Sequence, residues 1–336
     1  MRLGPLIIDV QGFALTSRER EMLSHPWVGG VIYFTRNFES KTQIRELSRE
    51  IHSIRREVGR APLLICIDHE GGRVQRFRDG FTEIPAMSTL GQLWDSHQPD
   101  AQAKAIDRAK ELGATLAREL LQVGIDFSFT PVLDLNWGRS DIIGERAFHS
   151  DPEVVAHLAR ALMQGLASSG MKSCGKHFPG HGWPAADSHL ALPVDDRPLD
   201  EILSIDAKPY ARLADLDQDG LPLLSSVMPA HIHYSQIDAM PAGFSRTWIT
   251  HILRARIGYR GLVISDDLSM AGAAVLAQVE DRAQAAFEAG CDATLICNSP
   301  DLAARALEYL PARMPNFLND PNRLGLERLR PSHAVQ

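Results

Sequence analysis

Apolar residues in this chain gather into short unbroken runs instead of alternating with polar ones. The runs are PLIIDV (5–10), GGVIYF (29–34), PLLICID (62–68), IDFSFTPVLDL (125–135), MKSCGKH (171–177), PLLSSVMPAH (222–231), GLVISDD (261–267) and ATLICN (293–298). Continuous runs of this kind mark strands covered on both faces, as in parallel sheets. Between them the period changes to that of a helix. In residues 40–59 a Ser cap precedes Ile44, Leu47, Ile51, Ile54 and Val58 on one stripe, and Gly59 closes the segment. Residues 100–124 and 151–170 follow the same plan, opening on Asp100 and Asp151 and closing on Gly124 and Gly170, and residues 280–290 lead into the last run. Eight strand–helix alternations predict an α/β protein with one domain, a (β/α)8 TIM barrel over residues 1–310. A doubly wound dinucleotide fold would need G-x-G-x-x-G after the first strand. DVQGFA does not supply it, and no P-loop occurs. The Pro- and Arg-rich remainder, 311–336, is expected to be an extended C-terminal tail.

Composition narrows the class. With 336 residues, 44% of them hydrophobic, the chain has ample material for a core. A net charge of -7 argues against a nucleic-acid partner, which would call for a basic face. The opening MRLGPLIIDV is too short for a signal-peptide core, and no apolar run is long enough to span a membrane, so no membrane partner is expected. Cys66, Cys174, Cys291 and Cys297 lie in or beside apolar runs without C-x-x-C spacing. They read as reduced, buried thiols of a cytoplasmic protein, expected to be a monomer.

In a barrel of this kind the active site lies at the C-terminal ends of the strands. The polar residues there are Asp9, Arg36, Asp68, Asp134, Lys176 with His177, His231, Asp266 with Asp267, and Asn298. The sequence leaves open which of Asp266 and Asp267 faces the barrel axis. The stretch KHFPGHGWPAADSHLALP (176–193) concentrates three histidines among glycines and prolines. As a metal site it would use His177, His181, Asp187 and His189. Barrel metallohydrolases build on His-x-His at the end of the first strand, where this chain reads IIDVQG; His231-x-His233 follows the sixth strand alone. No metal and no cofactor are therefore expected. As a proton-transfer device the stretch uses Asp187 and His189. Residues two apart in extended chain project to one side, so the carboxylate can fix the imidazole tautomer and favour its charged form. The Gly-, Pro- and Ala-rich surroundings predict a mobile loop carrying His189 over a bound substrate.

KHFPGHG followed by DSH resembles the family 3 glycoside hydrolases, and within them the bacterial β-N-acetylglucosaminidases. ILRARIGYRGLVISDDLSM (252–270), DHEGGRVQRFR (68–78), VGGVIYFTRNF (28–38) and IIGERAFHSDPEVVAHLA (142–159) resemble that family as well. The likeness runs from about residue 4 to about residue 300. It implies a barrel that removes terminal N-acetylglucosamine from cell-wall fragments with retention of configuration. The implied substrate is a small carbohydrate, N-acetylglucosamine-1,6-anhydro-N-acetylmuramic acid and its peptides, in peptidoglycan recycling. By the same resemblance Asp266 is the nucleophile, His189 the mobile acid/base and Asp187 its partner, while Asp68, Arg76, Arg146, Lys176 and His177 bind the sugar. A histidine donor departs from the usual second carboxylic acid of retaining glycosidases. A β-glucosidase of the wider family would be expected to carry its acid residue in a second domain after Asn298. Trp183 is a candidate for contact with the aglycone, whereas Trp27, Trp94 and Trp248 read as core. The acidic pair Asp200-Glu201 sits at an expected helix start that follows no strand, away from the pocket.

Overall fold

The computed structural model describes residues 2–55, 61–184, 192–215 and 222–331. Each of the eight apolar runs contributes one strand: β1 (Leu6–Asp9), β2 (Val28–Tyr33), β3 (Leu64–Ile67), β4 (Phe127–Ser128), β5 (Cys174–Phe178), β6 (Ser226–Pro229), β7 (Leu262–Asp267) and β8 (Ala293–Ile296). All lie in one parallel sheet in the order β4-β3-β2-β1-β8-β7-β6-β5. Closure between β4 and β5 passes through irregular backbone: Cys174 N donates to Thr130 O (2.8 Å) and Leu133 N to Lys176 O (2.7 Å). Pro131, with no N–H to give, interrupts β4, which is why so long an apolar run yields so short a strand.

Both faces of the strands are buried, and successive residues part company as a pleat requires. Leu6 and Ile8 join the outer core beneath the helices, while Ile7 joins the cluster that fills the barrel with Ile32, Cys66, Phe127, Met228, Ile264 and Leu295. The four cysteines are free and buried. Among the described residues no helix is long and apolar enough to cross a membrane.

Helix ends follow the local signals in most places. Ser40 accepts from Gln43 N and Asp151 from Glu153 N, opening Lys41–Ser53 and Pro152–Ser168. Gly124, Gly170 and Gly290 take positive φ just beyond their helices, where a side chain would be strained. Asp100 is an exception: it precedes Ala101–Gln122 in a left-handed conformation, and its side chain makes no capping bond.

As far as residue 331, where the described residues end, the segment expected to be an extended tail is packed instead. The last long helix, Pro300–Arg313, runs past residue 310, so that boundary falls inside an element. Beyond it Phe317 stacks on Trp27 (5.8 Å between ring centroids). Leu326 and Leu329 join Leu3 in the cluster that fills the barrel interior, both fully buried. Burying each leucine is worth roughly 1.5–3 kcal/mol. These apolar residues sit among Pro and Arg with no periodicity, so nothing local announces their burial.

Candidate active site

The C-terminal end of β3 runs on into a short antiparallel ribbon, His69–Gly71 against Val74–Gln75. Asp68 and Glu70, two residues apart, both reach Lys176 of β5: its Nζ lies 2.8 Å from Asp68 Oδ1 and 2.7 Å from Glu70 Oε1. Arg146, at the end of the turn Gly144–Arg146, grips Glu70 with two parallel bonds of 2.8 Å from Nε and Nη2. Arg76, on the far side of the ribbon, approaches Asp68 at 3.4 Å. Burial pushes both carboxyls up, but Lys176 and Arg76 hold Asp68 below the usual carboxylate range, and Arg146 and Lys176 hold Glu70 well below it. Burial alone would lower Lys176; the two carboxylates raise it instead. The cluster is therefore fully ionised, three cations against two anions, with donors fixed around a cavity of about 200 Å³. Asp68, Arg76, Arg146 and Lys176 are among the residues expected from the sequence; Glu70 is not. The alternation that pairs Asp187 with His189 applies equally to Asp68 and Glu70 and could have found it.

On the neighbouring wall Asp134 orders the turn after β5. It receives His177 Nδ1 at 2.7 Å and the backbone N–H groups of His177 (3.1 Å) and His181 (2.6 Å). With Nδ1 bonded to the carboxylate, the other ring nitrogen of His177 is left for the cavity that this residue lines. Burial raises the Asp134 carboxyl, yet the facing His177 brings it below its ordinary value. Burial drives His181 down to about 4, so its ring is neutral near pH 7.

The two aspartates that end β7 are distinguished by their partners. Asp267 Oδ1 accepts from Ser269 N (2.9 Å) and Cys297 N (3.0 Å), and its Oδ2 from Ser269 Oγ (2.7 Å). It braces the loop, and burial pushes its carboxyl up to about 6. Asp266 Oδ1 accepts from Asp267 N at 2.8 Å, and among the described residues no donor reaches Oδ2. Burial raises this carboxyl too, but the imidazoles of His177 and His231 outweigh it and hold it below the usual range. His231, buried at the end of β6, turns Nε2 toward Asp267 O at 3.2 Å.

Asp9, Arg36 and Asn298 form a separate lock on the rim. Arg36 pairs with Asp9 and donates to Asn298 Oδ1 (2.8 Å), and Asn298 N donates to Asp9 Oδ2 (3.0 Å). Asp187 and His189 lie outside the described residues, as do residues 185–187 of the loop around His181 to Asp187 that is expected to be mobile. Trp183, the candidate for contact with the aglycone, is partly buried and has arginines at its ring. Guanidinium carbons of Arg139 and Arg197 stand 4.0 and 4.3 Å from its ring centroid. Trp27 and Trp248 are buried in the core, and Trp94 packs against it.

The glycosyl hydrolase family 3 N terminal domain matches residues 6–321. A beta-hexosaminidase of Bordetella avium (strain 197N) is 56% identical over 333 residues, which cover 99% of this chain and 89% of that protein. Native NagZ from Neisseria gonorrhoeae shares 48% identity and a TM-score of 0.83, over 92% of this chain and 85% of that one. NagZ of the same organism in complex with N-trifluoroacetyl-D-glucosamine aligns with a TM-score of 0.83 at 45% identity, over 98% and 93%. A barrel whose strand ends gather this charged cavity, matched over nearly its whole length by that family, belongs to glycosyl hydrolase family 3.

Proposed function

We propose that this β-N-acetylhexosaminidase removes single terminal N-acetylglucosamine residues from peptidoglycan-derived anhydromuropeptides, with retention, through a covalent glycosyl-enzyme on Asp266. One observation carries the reading. Of the four carboxylates that line the cavity, Asp68, Glu70, Asp266 and Asp267, only Asp266 keeps an oxygen without a protein donor among the described residues. A nucleophile must be anionic and must not be engaged elsewhere, and the imidazoles facing Asp266 favour its charged form.

Asp266 attacks the anomeric carbon while the glycosidic oxygen takes a proton from His189, oriented by Asp187, so that the glycosidic C–O bond breaks and the alcohol leaves with that proton. His189 then takes a proton from a water molecule, which attacks the anomeric carbon, breaks its bond to Asp266 and frees the carboxylate. Lys176, Asp68, Arg76, Arg146 and His177 offer fixed partners to the hydroxyls and the acetamido group, which prepays the orientation of the sugar. A bound N-trifluoroacetyl glucosamine in the related NagZ supports an N-acetylated sugar in this pocket. Four buried, unpaired cysteines agree with a reducing compartment and with cytoplasmic cell-wall recycling.

The other retaining route, attack by the substrate's own acetamido group, needs an adjacent acidic pair in the pocket. Asp200 and Glu201 lie in the first turn of Leu199–Ser204, where Asp200 pairs with Arg256 on the surface, and neither lines the cavity. Asp266 and Asp267 do line it, but Asp267 is engaged by Ser269 and Cys297, and in this reading Asp187 and His189 already supply the proton. Incubation with a slow fluorinated N-acetylglucosaminide should leave a mass adduct that peptide mapping assigns to Asp266. Absence of an adduct, together with tight binding of a thiazoline mimic of the cyclised acetamido group, would reject the covalent route.

A further inference from the structure

The chain that carries Asp187 and His189 departs after Pro184 and returns at Leu192. Its two described ends are fastened to each other. On the departing side Gly180 and Gly182 lie so close to their neighbours that a Cβ on the first would meet Asp206 Cβ at 2.6 Å and one on the second would collide with Leu135 O. This presses Trp183 edge-on against Trp137, 4.9 Å between centroids at 87°. On the returning side Val194 and Asp195 pair with His233 and Tyr234. Arg197 spans both sides. It stacks on Trp183 at 4.3 Å, holds Asp195 with bonds of 3.0 Å from Nε and 2.7 Å from Nη2, and reaches Asp206 at 2.8 Å. Asp206 in turn accepts from Trp137 Nε1 at 2.9 Å. Tyr234 makes a second tie, donating its hydroxyl to Gly180 O at 2.8 Å.

The geometry points to Arg197 as a positioning residue for the acid/base, because it fixes where that chain leaves the barrel and where it re-enters. Only a planar cation with several donors can stack on one end and bind a carboxylate of the other at the same time. The inference rests on the acid/base role given to His189 under the proposed function. Arg197 is not among the described residues that line the cavity, so its effect is on proton delivery and not on sugar binding.

The test compares Arg197→Lys, Trp183→Ala and His189→Ala on two N-acetyl-β-glucosaminides, one with a nitrated phenol as leaving group and one with an unactivated alcohol. Arg197 is buried between carboxylates and its replacement can unfold the chain; Trp183 is only partly buried, so Trp183→Ala serves as the second variant, and thermal midpoints accompany the kinetics. General acid catalysis contributes about 10²–10⁴-fold and a small misplacement forfeits part of it. Both positioning variants should therefore lose about tenfold more kcat with the unactivated substrate than with the activated one, at nearly unchanged KM. Equal losses on both substrates, or no loss in a folded variant, overturn the inference if His189→Ala still discriminates between the leaving groups. If His189→Ala does not discriminate, the acid/base reading itself falls and the inference falls with it.

Discussion

Glu70→Gln tests the charged cluster most directly, because it keeps the shape of the side chain and removes only its charge. In the wild type both Glu70 oxygens are engaged, one by Arg146 Nε and the other by Arg146 Nη2 and Lys176 together, all at 2.7–2.8 Å. The Glu70 and Lys176 side chains are each 3% exposed, so water cannot replace a lost partner. A glutamine amide has one acceptor, and whichever way it turns its NH2 group faces a cationic donor. Breaking a buried pair from one side costs about 3–5 kcal/mol. Lys176 keeps Asp68, which places the expected loss near the lower end, ~3 kcal/mol. At roughly 2 °C per kcal/mol for a chain of this size, the thermal midpoint should fall by about 6 °C. With Arg146 and Lys176 released, kcat/KM on an aryl N-acetyl-β-glucosaminide should fall by about 10–10²-fold. Adding Arg146→Met should recover part of the stability, since no uncompensated charge then remains at that position, but none of the activity. Calorimetry and steady-state kinetics on the single and double variants measure both quantities. A Glu70→Gln midpoint within about 1 °C of wild type, with kcat/KM within about twofold, would refute the claim that this network holds the sugar site.

Two further outcomes follow from the same geometry. Asp266→Asn should abolish turnover in a folded protein, whereas Asp267→Asn should keep most of it. An asparagine there can accept from Ser269 N and Cys297 N while its NH2 donates to the Ser269 hydroxyl; a dead Asp267→Asn beside an active Asp266→Asn would reverse the assignment. For acid, Asp68 and Glu70 both titrate below their ordinary values when folded. Their contribution to stability is complete above the unfolded carboxylate pKa of about 4 and drains away as pH falls toward the folded values. Stability should drop between about pH 5 and pH 3, with a shallower slope in Glu70→Gln, and equal slopes in urea titrations would contradict it.

Strands and helices were legible in the sequence because each depends on residues within a few positions of one another. Continuous apolar runs located all eight strands, and Ser40, Asp151, Gly124 and Gly170 marked helix ends. Polar residues at the strand ends could be named for the same reason, since the ends of apolar runs are visible in the chain. Their partners could not be. Asp134 meets His177 across 43 residues, Glu70 meets Arg146 across 76 and Asp68 meets Lys176 across 108, distances that only closure of the barrel removes. Asp266 and Asp267 look alike in the sequence, and the tertiary structure separates them by setting Ser269 and Cys297 donors around one and not the other. Trp183 has Arg139 and Arg197 at its ring, and Leu326 and Leu329 of the final segment belong to the cluster that fills the barrel, neither of which is visible in the local sequence. Local periodicity decides which elements form. Which charges neutralise one another, which carboxylate oxygen stays unengaged and which apolar residues close the core depend on elements far apart in the chain, and those were fixed only when the barrel brought them together.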